Sequence, residues 1–346
     1  MMVKVMELCE GDKPAWDEYV WHSPAATPYH LVGWKRVMEK TYGYPSHYLM
    51  AKEGGRIEGV LPLFEIRSRI LGHSLTTLPG GLCADSEGAA VALIELAKEL
   101  TVNINAKYLG IRDSRKEWNA GLVSVCKHCT MIRELPSTSE ELWKGLHRGV
   151  RRGIQNALKN DLKVSIGGEE YLDDFYALFS KFTRDLSTPC FSRVFLNNIV
   201  EELSDHLLIC CVRWQGRLIG AFATFLFRDA LFGAWGGSLR KYLDRSPNHI
   251  AYWELMRYGC EHLFRRIDLG RSRIGSGQYE FKKGWGAQPR PLYQQYFLNG
   301  LKVVPDISTQ MEADYKYRLF TRLWRKLPLP LTQRLGPHIR RHLPFA

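Results

Sequence analysis

Apolar and polar positions alternate along this chain in two similar stretches. The run from Leu49 to Phe64 predicts a strand, a tight glycine turn and a second strand. The run from Ile209 to Phe225 predicts the same unit again. Gly55-Arg56 and Gly59 match Gly216-Arg217 and Gly220 at an offset of 161 residues, and Gly80-Gly81 match Gly236-Gly237 at an offset of 156. Two anchors in the same order indicate a duplicated unit of domain size. A helical run from Ala89 to Leu100 then leads to a short strand at 108–111. In the second copy, Ser246-Pro247 provides an N-cap and a first-turn proline for a helix to about Phe264, followed by a strand holding Asp268. Alternating helices and strands predict an α/β (α+β) fold, with mixed sheets flanked by helices.

Two further helices carry much of the positive charge. Ser137 with Glu140, and Thr138 with Glu141, have capping-box spacing. They open a predicted helix over 139–160 with Leu146, Val150, Ile154 and Leu158 on one stripe. Arg148, Arg151, Arg152 and Lys159 occupy its other faces. Near the end, Leu319, Phe320, Leu323, Trp324 and Leu327 form an apolar face, with Arg318, Arg322, Arg325 and Lys326 around it. Pro328 and Pro330 close that helix, and 331–343 is again basic and apolar. Such a tail either packs on the protein body or lies in an anionic membrane interface. The expected division is 1–136, 137–300 and a basic tail 301–346.

Length and composition agree with this organisation. At 346 residues the chain is too long for one ordinary core. The net charge is +12, and from Leu301 onward nine Lys or Arg face three acids. This asymmetry predicts phosphate-rich partners, whether RNA, nucleotide or acidic lipid. No apolar run reaches the ~20 residues needed to cross a bilayer, and the first residues lack a secretory signal's apolar core. The expected location is therefore cytoplasmic, with peripheral contact at the inner membrane through 316–346 as the tail's second option. Eight cysteines include Cys126-Lys-His-Cys129, but no second pair completes a zinc site. The thiols are expected to be reduced and no metal is implied.

The chemistry concentrates between Arg266 and Ala287. Gly270, Gly275 and Gly277 let the backbone approach a ligand closely, and Phe281-Lys282-Lys283 and Trp285 suit an anionic, partly planar group. Gly270 and Gly275 have P-loop spacing, yet Ser276-Gly277 stands where Lys-Ser/Thr is required. The remaining choice is between a ligand site and a glycine-rich turn joining two strands.

Asp268-Leu-Gly-Arg-Ser272, Gly275-Ser-Gly-Gln-Tyr279, Phe281-Lys282 and Trp285-Gly-Ala287 resemble the C-terminal signature of FemAB-like acyltransferases. More narrowly, they are similar to the FemAB-related proteins that accompany exosortase (PEP-CTERM) and exopolysaccharide systems. Leu186-Ser-Thr-Pro189 and Asn248 through Trp253 extend the match, while Ile267 and Leu269 stand where that group usually has Phe. The resemblance covers most of the second half; the first half matches only in pattern. It implies two tandem GNAT-like domains and transfer of an acyl or aminoacyl group to an amine without a covalent enzyme intermediate. It also implies that Lys282, after an aromatic Phe281, stabilises the oxyanion.

The proton acceptor stays open between Asp268, His249, water and a substrate phosphate. Tyr279 and Asn248 are candidates for positioning substrate, with Gly275, Gly277 and Trp285 lining it. Arg271 and Arg273 could hold phosphates or a carboxylate. Arg148, Arg151 and Arg152 are candidates for phosphate contacts, because a planar guanidinium can bind two oxygens at once.

The implied function is N-acyl or aminoacyl transfer to an amine of a cell-envelope or exopolysaccharide precursor. The co-substrate would be acyl-CoA or aminoacyl-tRNA, with no bound cofactor. No clean copy of the Q/R-x-x-G-x-G/A loop of acyl-CoA sites is present, which leans toward tRNA or another carrier. A second class is a catalytically silent protein that docks on RNA or anionic membrane, in which Lys282 merely binds.

Overall fold

The computed structural model describes residues 3–69, 72–305 and 315–343. The chain divides into two compact units. One comprises 1–127, 291–320 and 337–346; the other comprises 128–290 and 321–336.

In the first unit the strands are β1 (Lys4–Glu7), β2 (Ser46–Glu53), β3 (Arg56–Ser68), β4 (Gly72–Thr77), β5 (Cys83–Ala84), β6 (Tyr108–Ser114) and the later β13 (Gln288–Leu298). The sheet runs β1-β2-β3-β4-β6-β13, with β5 paired on β3. All of these pairings are antiparallel except β4 with β6. Helices α1 (Lys13–His22) and α2 (Gly33–Tyr42) precede β2. Helix α3 (Glu87–Asn103) makes the crossover between the parallel strands. Ser86 caps α3 by accepting from the Ala89 amide at 3.1 Å. Leu93, Ile94 and Ala97 of α3 pack on Leu49, Leu61, Leu75 and Leu109.

The second unit repeats this plan. Its strands are β7 (Val123–Glu134), β8 (Lys163–Gly167), β9 (Leu207–Trp214), β10 (Arg217–Phe227), β11 (Ala230–Ser238) and β12 (Arg266–Arg273). They run β7-β12-β11-β10-β9-β8, and again one pair is parallel, β11 with β12. Helices α4 (Ser139–Lys144) and α5 (Arg148–Lys159) precede β8, and α6 (Leu172–Asp185) and α7 (Arg193–Leu203) follow it. Helix α8 (Pro247–Glu261) makes the crossover, and α9 (Gly277–Gly284) follows β12. The duplication extends to an irregularity. Register slips between Ala51 and Lys52 of β2 against β3, and at the matching level between Leu218 and Gly220 of β10 against β9.

Unit boundaries differ from the expected 136 and 300, and the reason is topological. In the chain, β7 follows the first unit, yet its residues 128–134 pair with β12 of the second. Strand β13 follows the second unit, yet it pairs with β6 of the first.

Several local expectations are also corrected. The single helix over 139–160 is two helices. Thr138 caps α4, Gly145 ends it, and the His147 ring caps α5 by accepting from the Gly149 amide at 3.2 Å. Leu158 is exposed, and Ala157 takes the buried place on that stripe. Ser246 stands at the N-cap of α8, but its hydroxyl does not cap; it accepts from Asn156 Nδ2 at 3.0 Å.

The tail is not a separate body. Helix α10 (Tyr315–Trp324) and helix α11 (Leu329–Arg340) bury Trp324, Thr332 and Gly336, while Leu319 and Leu323 stay exposed. The Ser187 hydroxyl donates to Thr321 O at 3.0 Å, and Gln333 Nε2 donates to Ser180 Oγ at 2.9 Å. In the first unit, Tyr44 Oη donates to Arg341 O at 2.5 Å. The Arg318 side chain and residues 306–314 lie outside the described residues. Among the described residues no helix is long and apolar enough to cross a membrane.

Gly236 in β11 tests this packing. Its φ is +152°, and a Cβ there would lie 2.6 Å from both Ala221 O and Phe222 Cα, which are backbone atoms. We expect Gly236→Ala to lower stability by about 2 kcal/mol in denaturant melts. Gly88→Ala, in open space on α3, should change it by less than about 0.5 kcal/mol.

Candidate active site

Strands β11 and β12 pair only as far as Phe232 and Asp268. Beyond that level both strands slip against their other neighbours: β11 against β10 at Gly233–Trp235, and β12 against β7 between Asp268 and Arg271. Bulges of this kind bend a strand away from its ladder. Gly270 sits at the point of departure with φ +79°, and a Cβ there would lie 2.7 Å from Gly233 O. Only glycine combines that backbone conformation with so close an approach.

A cavity of about 170 Å³ lies where the strands separate. Phe222, Trp235, Tyr252 and Leu255 give it an apolar side. Asp268, Arg271, Gln278 and Lys282 give it a polar one.

Asp268 is 6% exposed, and its Oδ1 accepts from the Gly270 amide at 2.8 Å and from the Thr130 hydroxyl. Lys282 is 2% exposed. Its Nζ donates to Gly270 O at 2.8 Å and Arg271 O at 3.0 Å. The carboxylate and the ammonium therefore hold the N–H and C=O of one bulged glycine. Burial lowers the Lys282 pKa to about 8, and the negative charge of Asp268 opposes that shift.

Lys282 reaches the cavity from a helix. Ser276 caps α9 by accepting from the Tyr279 amide at 3.2 Å. Lys282 lies in the last turn of α9 facing inward, and Lys283 next to it is exposed.

The structure gathers Asp268, Gly270, Arg271 and Lys282 at the cavity; the other sequence candidates do not line it. Phe281 does not line it. Its ring meets His249 edge-on at 5.1 Å and Tyr252 at 5.5 Å, with Trp285 at 6.4 Å. Trp285 is fully buried, and its carbonyl accepts from Arg133. His249 is half-buried in this cluster, and burial lowers its pKa. Asn248 is engaged in structure, its Oδ1 accepting from Ser238 Oγ at 2.7 Å. Tyr279 is half-buried at the start of α9, while Arg273, Gly275 and Gly277 are exposed on the turn before or at that start. Arg148 and Arg152 are exposed on α5 and Arg151 is half-buried; none lines the cavity. Phe222, Trp235, Tyr252 and Gln278 line it without having been candidates. The signal available for them was the glycine spacing around Trp235 in an otherwise apolar strand. Among the described residues no group of His, Cys, Asp and Glu could hold a metal ion, and the cysteines are free thiols.

This architecture agrees with comparison to known proteins. Residues 144–283 match the family described as Acetyltransferase (GNAT) domain. The fold of the whole is similar to that of FemX, with a TM-score of 0.66 at 16% identity, covering 86% of this chain and 98% of that one. It is also similar to the C-terminal domain (DUF2156) of a putative lysylphosphatidylglycerol synthetase from Agrobacterium fabrum (TM-score 0.58, 13% identity, 84% and 92% covered). A tandem GNAT protein from the clavulanic acid biosynthesis pathway matches at 0.55, with 11% identity and 87% and 100% covered. At these identities the likeness establishes the fold: two GNAT-type units in tandem, as the FemAB resemblance implied. No curated protein matches the chain in sequence.

The lowered Lys282 pKa has a consequence for stability. Between about pH 8 and 10.5 the unfolded chain holds a proton that the folded chain releases, so this lysine's contribution to stability rises with pH. Relative to Lys282→Met, the wild type should gain about 3 kcal/mol across that window, read from denaturant melts at the two ends. Parallel stability curves for the two proteins would contradict a buried, perturbed lysine.

Proposed function

We propose that this chain is an N-acyltransferase or aminoacyltransferase. It takes an acyl group from an activated ester or thioester and passes it to an amine of a cell-envelope or exopolysaccharide precursor. The observation that carries this reading is the cavity at the divergence of β11 and β12, with Lys282 at its edge. Two of the three N–H groups of the protonated lysine are taken by Gly270 O and Arg271 O, which fixes the ammonium in place. The third is available to the oxyanion that forms when the amine attacks the carbonyl. Such a preorganised donor contributes a few kcal/mol, and holding the two reactants in line contributes several more. The new C–N bond forms as the C–O or C–S bond to the carrier breaks. The nitrogen then gives up a proton, for which Asp268 is the buried carboxylate at hand.

The donor is acyl-CoA or aminoacyl-tRNA. The exposed Arg148 and Arg152 on α5 suit the phosphates of either. Likeness in fold to a putative lysylphosphatidylglycerol synthetase supports an aminoacyl donor and an envelope acceptor. Thermal melting with each donor decides between them, since a ligand that prefers the folded state raises the midpoint. No shift with either would sink the donor assignment.

A second reading, binding without turnover, draws on the same two lysine bonds, since they also suit a purely structural Lys282. Turnover separates the two. If the lysine stabilises the oxyanion, Lys282→Ala should keep donor binding and lower kcat on the order of a hundredfold. Wild-type kcat/KM should fall as pH rises through about 8, because the ammonium is lost there, and Lys282→Ala should lack that limb. Full function in Lys282→Ala would favour the binding protein.

A further inference from the structure

The two C-terminal helices repeat one surface pattern. Leu319-x-x-Arg322-Leu323-x-x-Lys326 on α10 and the following turn recurs as Leu331-x-x-Arg334-Leu335-x-x-His338 on α11. Positions three and four apart share a face of a helix. Within 321–336, which packs with the second unit, that face points outward. Leu323 is 55% exposed, and Leu331 and Leu335 are each 40% exposed. Arg322, Lys326 and Arg334 beside them are exposed as well. The inward positions are different in kind. Trp324 is 2% exposed, Thr332 is buried, and Gly336 lies so close to Cys190 that a Cβ would stand 3.0 Å from its carbonyl oxygen.

The helices are thus fastened by their own inward residues, and the outward leucines are not needed for that packing. A face that interleaves leucine with arginine and lysine, with no acid from Lys316 to Ala346, is complementary to an anionic lipid surface. The leucines enter the acyl boundary while the cations meet the headgroups. A polyanion such as RNA would engage the cations but leave the leucines in water. We infer that residues 321–336 dock the protein on an anionic bilayer, through Leu323, Leu331 and Leu335 with Arg322, Lys326 and Arg334.

The test is flotation of the full chain with vesicles of phosphatidylcholine alone, or with about one third phosphatidylglycerol. Binding is expected to the mixed vesicles and to weaken as salt rises. Arg322→Gln with Arg334→Gln should weaken it on the order of tenfold. Leu323→Gln with Leu335→Gln should abolish it while leaving the thermal midpoint in place, because neither leucine is buried. The readout needs no turnover, so it stands apart from the acyl-transfer reading. Failure to float, equal binding to neutral vesicles, or unchanged binding by the double leucine variant would each overturn the inference. So would a double leucine variant that floats poorly only because its melting midpoint has collapsed, since that would make the leucines structural. Retention on tRNA that needs the arginines but not the leucines, without flotation, would assign the face to RNA instead.

Discussion

The second unit turns on one peptide group, that of Gly270. Where β12 leaves β11, its backbone loses ladder partners, and an unpaired buried N–H or C=O costs as much as a lost hydrogen bond. Asp268 accepts from the Gly270 amide and Lys282 donates to its carbonyl, so a carboxylate and an ammonium replace the missing strand. Each charge is costly to bury alone, and each limits the cost of the other. The arrangement explains why the cavity can exist. Strands separate only if their freed polar groups are met, and here the groups that meet them also line the opening. Burial does not cancel, as the lowered pKa of Lys282 records.

That peptide depends in turn on a strand from the other half of the sequence. Thr130 and Arg133 belong to β7, which follows the first unit in the chain but pairs with β12. Thr130 gives its hydroxyl to Asp268, and Arg133 reaches the carbonyl of Trp285 just past α9. The first half therefore supplies support to the site even though no residue of the first unit lines it. Such pairings lie far apart in sequence and are closed at an entropic cost. The GNAT match from 144 to 283 begins after β7, so a domain cut at those limits would lack the strand that steadies Asp268.

Much of this was legible in the sequence, and what was not has physical causes. Period-two alternation and paired glycines disclosed both hairpins, because a strand–turn–strand unit is local in sequence. Crossover helices were legible for the same reason. The exchange of β7 and β13 was not, since it depends on pairings between distant segments that no local pattern records. Lys282 is legible as a candidate from its motif, but the helix that carries it is not. Eight residues between Gly277 and Gly284 are too few to display a helical period, and the glycines at both ends mimic a turn. Asn248, Tyr279 and Phe281 were drawn in by their place in the motif. Their hydrogen bonds and ring contacts hold α8 and α9 in position.

The two copies differ at the same level of the sheet. In the first unit the parallel pair β4 and β6 runs to Thr76 and Gly110, as β11 and β12 run to Phe232 and Asp268. Gly110 thus stands where the second unit has its buried carboxylate. Its carbonyl accepts from Thr76 Oγ1 at 2.9 Å, so a neutral hydroxyl on the neighbouring strand meets the backbone there. After β6 the chain reaches β7 without a helix, so the first unit has no counterpart of α9. A glycine and a threonine need no opposing charge and hold no titratable proton. The same duplicated frame therefore carries a buried carboxylate and a buried lysine around one bulged glycine, and a neutral contact at the matching level of the other copy. The asymmetry gives the acyl transfer proposed above one candidate centre, around Asp268 and Lys282, and not two equivalent ones.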